Sequence, residues 1–168
     1  MEIIVNKVAE SGLITLDLAP YLPDEARLAT FDLKPFLFRE MILREKDYRA
    51  ALQQYEWSQL TGKYINITCT ADAIIPVWAY MLAAQYLIPI AQTVYFGTKT
   101  ELINHLIIGA INNIDTAEFA DQRVVIKGCG DIHIPEAAYV AITTRLQPVV
   151  KSLMYGEPCS TVPIYKKR

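Results

Sequence analysis

Three cysteines, Cys69, Cys129 and Cys159, are the residues of this 168-residue chain best suited to carry chemistry. As thiolates they suit zinc, ferrous iron or an iron–sulfur cluster, with a fourth ligand available from Asp72, Asp131, His133 or solvent. They stand 60 and 30 residues apart with no CxxC pair, so only the fold can assemble them. The plain alternative is that each is a small, buried, apolar side chain. Asp72 and Asp131 each precede a stretch that reads as a helix, where an Asp caps free backbone N–H groups. The functional alternative is a pair of carboxylates acting on a metal or a proton. A helix N-terminus also activates a thiol, which makes Cys69 or Cys129 a candidate nucleophile. His133, four residues after Cys129, is the base within reach, whereas His105 reads as a surface or capped residue. Thr68, Thr70, Ser160 and Thr161 add donors for a small anion at the same places. Gly128 and Gly130 form neither a dinucleotide fingerprint nor a P-loop.

An internal repeat positions these residues. Residues 64–97 align without gaps on 123–156, with nine identities in 34: Ile67/Ile126, Asp72/Asp131, Ile75/Ile134, Pro76/Pro135, Ala79/Ala138, Tyr80/Tyr139, Leu87/Leu146, Pro89/Pro148 and Gly97/Gly156. Each copy reads as strand, loop, helix, strand. The β-branched runs 64–68 and 123–127 are first strands, 73–87 and 132–146 are helices, and 93–96 and 152–155 are second strands. Pro76 and Pro135 sit near the first helical turn, and Pro89 and Pro148 follow the last. Tyr80 and Tyr139, two turns in, read as core residues with hydrogen-bonded hydroxyls. A strand–helix–strand unit of this length predicts parallel strands, and loops at their carboxyl ends are where ligands collect. All three cysteines fall at such ends.

Residues 73–98 carry no charge, which meets the length test for a membrane span. The second copy argues otherwise, with Glu136, Arg145 and Lys151 where the first is uncharged. The expectation is a helix covered on nearly all sides, in part by a second subunit. Between the copies, Thr98 to Glu101 is a capping box opening a helix with Leu102, Leu106, Ile107, Ala110 and Ile111 at helical spacing. A polar connection from Asn112 to Gln122 follows, with a turn at Phe119. The first sixty residues predict a strand at 13–18, a weaker one at 30–33 and a helix over 46–55 with Glu45 and Arg49 four apart. The fold expected is α/β: one domain over 1–168, with a duplicated β-α-β unit around a mixed or mainly parallel sheet.

At 52% hydrophobic and 20% charged residues the chain can bury a core, which excludes general disorder. A net charge of −2 offers no surplus for neutralising phosphates, so nucleic acid is not an expected partner. The basic tail, Lys166 to Arg168, reads as solvated. Three cysteines, an odd number, fit a reducing cytoplasm, and no signal-peptide pattern is visible at the N-terminus.

The segments 68–80, Ile126-Lys-Gly-Cys129 and Tyr155-Gly-Glu-Pro-Cys-Ser-Thr-Val-Pro163, with Asn6-Lys-Val-Ala9 and Trp57-Ser-Gln59, resemble an uncharacterised bacterial family. It is catalogued as domain of unknown function 2480. The resemblance spans nearly the whole chain and implies a small cytoplasmic protein without an established activity. It also associates some members with iron–sulfur assembly genes. The leading functional expectation is a metal- or iron–sulfur-binding accessory protein using Cys69, Cys129 and Cys159, with Asp72, Asp131 or His133 assisting. The alternatives are a non-catalytic homodimer or larger homo-oligomer, joined through the uncharged helix, and a Cys- or carboxylate-dependent enzyme acting on a small anion. Neither nucleic acid nor a membrane is an expected partner.

Overall fold

The computed structural model describes residues 12–128, 130–157 and 159–168. Asn6 to Ala9 and Cys129 therefore lie outside the described residues. The α/β class and the mainly parallel strand pairing hold, but the strands divide between two sheets instead of sharing one. Two compact units result. One comprises the described residues up to Leu22 together with Asn104–Arg168, and the other is Pro23–Ile103.

In the Pro23–Ile103 unit, β2 (Leu28–Asp32), β3 (Tyr64–Thr68) and β4 (Thr93–Phe96) form a parallel sheet with β3 at its centre. In the other, β1 (Leu13–Leu16), β5 (Arg123–Lys127) and β6 (Ser152–Glu157) do the same around β5. A last strand, β7 (Ser160–Lys166), adds antiparallel to β6 and extends through residues read from sequence as a trailing segment and tail. The registers of the two parallel sheets correspond: Leu28 pairs with Tyr64 as Leu13 pairs with Arg123, and Tyr64 with Thr93 as Arg123 with Ser152. Ile65 to Ile67 and Val124 to Ile126 are buried at every position, as central parallel strands covered on both faces require.

Two helices follow the central strands, α2 (Val77–Leu87) and α4 (Glu136–Leu146). Both start four residues later than their periodicity suggests, because Pro76 and Pro135 occupy the N-cap in extended conformation. A proline disfavours helical geometry in the residue before it, so the preceding segment cannot join the helix. Asp72 and Asp131 are consequently not the helix caps expected of them; they lie in the loops before the prolines.

Correspondence between the units reaches beyond the aligned repeat. The helix α1 (Glu45–Gln54) buries Tyr48 and Leu52, and α3 (Lys99–Asn112) buries Ile107 and Ile111 at matching positions. Short 3₁₀ turns then bury Leu60 in one case and Phe119 in the other. Gly62 and Asp121 follow at the same place, both with positive φ. Upstream, Asp17-Leu-Ala-Pro-Tyr-Leu22 recurs as Asp32-Leu-Lys-Pro-Phe-Leu37, each Asp accepting from the backbone N–H two residues on. The Pro23–Ile103 unit is thus inserted within a second copy of its own plan, between the turn after β1 and the rest of that copy.

The capping box at α3 forms as read. Glu101 accepts from the Thr98 amide at 2.7 Å, and the Glu101 amide donates to the Thr98 hydroxyl at 3.2 Å. Glu45 and Arg49 pair at 3.0 Å along α1. The two cores differ in kind. That of the first-copy unit is aromatic, with Phe31 stacked on Phe36 and Trp57, Trp57 stacked on Tyr86, and the Tyr48 hydroxyl donating to the Ala79 carbonyl at 2.8 Å. That of the second-copy unit is largely aliphatic, around Leu16, Val124, Ile126, Ile142 and Leu153. Each such side chain, fully buried, contributes about 1.5–3 kcal/mol.

Candidate functional site

The carboxyl end of β5 opens into a pocket of about 650 Å³. Its floor is apolar, from Ile126 on the strand, Ile134 in the following loop, Ile142 on α4, and Leu153 and Ile164 on the neighbouring strands. Its rim is polar. Gly128, Gly130, Asp131 and His133 come from the loop after β5, Glu136 and Tyr139 from the first turns of α4, and Tyr155 from β6. Ile126, Ile142 and Leu153 are buried, whereas Ile164 is exposed. The rim follows from the late start of α4, which leaves a long loop at the sheet edge.

Two tyrosines form one wall. Tyr139 and Tyr155 meet edge to face with ring centroids 5.7 Å apart, and the Tyr155 hydroxyl donates to the Gly128 carbonyl at 3.2 Å. Gly128 makes this possible: a Cβ there would lie 2.6 Å from the Tyr155 ring. Burial raises the Tyr139 phenol above its ordinary pKa, and nearby Tyr155, Asp17 and Glu136 push it the same way. Tyr139 is therefore held in its neutral form. A smaller cavity of about 210 Å³ lies against the same loop and reaches Asp17 and Lys127, whose side chains pair at 3.3 Å.

The predicted metal ligands are distributed as follows. Asp131 and His133 share the pocket rim, and Gly128 and Gly130, the residues flanking Cys129, line it as well. Cys159 is exposed in the turn joining β6 to β7. Cys69 belongs to the Pro23–Ile103 unit, half-buried against its core, with its thiol 3.8 Å from the Ala71 carbonyl. Asp72 is exposed in the same unit. Among the described residues, no group of three or more His, Cys, Asp or Glu side chains is arranged to hold a metal ion.

The first copy builds the corresponding place differently. Cys69 stands where the second copy has Gly128, and Phe96 where it has Tyr155, with Tyr80 and Phe96 edge to face at 5.0 Å. Thr70, at the position of Cys129, is tied down: its amide donates to Asp32 at 3.0 Å and its hydroxyl donates to the same carboxylate. Burial alone would raise the Asp32 carboxyl. The bonds from the Thr70 hydroxyl and the Lys34 and Thr70 amides, with the Lys34 charge, bring it below its ordinary value.

The uncharged helix buries Ala79, Ala83 and Leu87 but, among the described residues, is not covered on nearly all sides as expected. Val77, Met81 and the capping Ile88 are exposed along α2, with Ile74 and Phe96 nearby in sequence and also exposed. No helix among the described residues is long and apolar enough to cross a membrane.

Sequence reasoning missed Glu136, Tyr155 and the floor residues as parts of a site. Tyr155 was legible only as a strand residue, and nothing in its spacing marks it as facing Gly128.

Fold and pocket together define an α/β protein built from two copies of one three-stranded parallel plan, with a ligand-sized pocket at the carboxyl edge of the second copy. The chain belongs to the family described as Protein of unknown function (DUF2480), whose family model matches residues 2–167. No curated protein and no solved structure matches it.

Proposed function

We propose that this protein binds a small organic molecule in the pocket at the carboxyl end of β5. The observation that carries the reading is the cavity itself, about 650 Å³ with an apolar floor and a few convergent polar groups. Sites for drug-sized molecules run from about 300 to 1,000 Å³ and have this composition, whereas a metal ion with its ligands needs far less room. An NMR titration with a panel of small amphipathic molecules tests it. The expected result is amide shifts confined to residues 128–134 and 153–155. Shifts scattered over other surfaces, or none at millimolar concentration, sink the reading.

A second reading is supported by one observation: Asp131 and His133 share this rim, and both neighbours of Cys129 line it. A zinc or iron ion, or an iron–sulfur cluster, held by Cys129 with Cys159, Asp131 or His133 would make this a metal-binding accessory protein, with iron–sulfur assembly proteins as partners. Anaerobic purification, metal analysis and an absorption spectrum test it. A metal-free protein that takes up neither zinc nor ferrous iron removes it.

A further inference from the structure

Resting on the pocket reading above, we infer that the ligand of this pocket is a small organic cation, a protonated amine carried on an apolar body. Among the described lining residues there are two carboxylates, Asp131 and Glu136, one histidine, His133, and no lysine or arginine. Neither carboxylate is engaged by an ion pair or hydrogen bond among the described residues. The nearest cation in the chain order, Lys127, lines only the smaller cavity and is already paired with Asp17.

The N-terminus of α4, which begins at Glu136, favours the opposite charge. A helix N-terminus carries about half a positive charge, against two full negative ones here, and Glu136 itself sits in the first turn and answers that dipole. The sign of the rim is therefore negative. The near-perpendicular rings of Tyr139 and Tyr155 add faces that attract a cation, and burial and the surrounding anions hold the Tyr139 proton. The aliphatic floor supplies the surface for an apolar body, so an inorganic cation would leave most of the cavity unused.

Three probes with one body and different heads separate the possibilities: phenylpropylamine, phenylpropanol and phenylpropionate, each titrated into the full chain and followed through the pocket amides. The amine is expected to bind about tenfold more tightly than the alcohol and more tightly still than the carboxylate, with its advantage reduced by salt. A D131N/E136Q variant is expected to bind amine and alcohol alike. Both side chains are exposed, so an unchanged amide spectrum outside the pocket verifies its fold, and the salt series on the unaltered protein gives an independent readout. If the alcohol or the carboxylate shifts the pocket amides at concentrations as low as the amine does, the pocket reading stands and the cation assignment is overturned. If no probe moves those amides, the pocket reading itself falls and this assignment with it.

Discussion

The two units share strand order, register, helix positions and even the positive-φ residue before the central strand, yet their carboxyl edges are opposites. In the first copy, Asn66 stands buried in the middle of β3, accepting from the Thr30 hydroxyl at 2.8 Å and donating to the Gly97 carbonyl at 2.9 Å. Its counterpart Val125 is apolar. Asp32 binds the following loop through Thr70, while its counterpart Asp17 pairs with Lys127. Glycines at 128 and 130 replace Cys69 and Ala71. At one edge the polar groups bond to one another. The other keeps Asp131 and Glu136 unpaired around an open pocket. Two similarly built sheets thus carry different side chains at a handful of equivalent positions, bonded to one another in the first copy and lining a pocket in the second.

Transplanting residues between copies breaks or sharpens this contrast. The largest effect is expected from Asn66→Val, which installs the second copy's residue. It leaves the Gly97 carbonyl without its amide donor and unlinks Thr30, at about 1–3 kcal/mol in urea unfolding. An unchanged midpoint would mean the buried amide does not hold the first copy together.

Asp32→Ala is next, at about 1–2 kcal/mol near neutral pH, since it removes the acceptor for Lys34 and Thr70. The sign with pH follows from its lowered folded pKa: this stability is present above the unfolded carboxyl value of about 3.9 and is lost as pH falls through the folded one. The gap between variant and parent should therefore narrow in unfolding curves taken from pH 7 down to pH 3. A constant gap would show that the carboxylate charge plays no part.

The smallest effect on stability belongs to Gly128→Ala, under about 1 kcal/mol, because the obstructing atoms are the mobile tip of Tyr155. Its consequence is local: the Tyr155 ring swings away and loses its bond to the Gly128 carbonyl, visible in the ring's NMR signals. An unmoved Tyr155 would mean the glycine is not what shapes the wall.

Several of these features were readable in one dimension. The repeat over 64–97 and 123–156 was visible because its identities include two prolines and a glycine, where backbone geometry tolerates little change, and core residues such as Ile67, Ala79 and Leu87. The capping box at Thr98 and Glu101 is local chemistry and formed as read. The rest of the duplication was hidden, since pairs such as Tyr48/Ile107 and Leu60/Phe119 preserve burial and not identity. The short pattern Asp-Leu-x-Pro-aromatic-Leu at 17–22 and 32–37 was the remaining signal.

Local sequence marked most of the strands and helices, because periodicity, caps and prolines act over a few residues, but it set the starts of α2 and α4 too early and did not show β7. It could not decide that the strands form two sheets, since strand partners are chosen by contacts across long separations. Nor could it place Tyr155 against Gly128, or Asp131 and Glu136 around one cavity, because those neighbours come from different elements. The pocket exists only where the sheet edge, a delayed helix and an absent Cβ coincide in space.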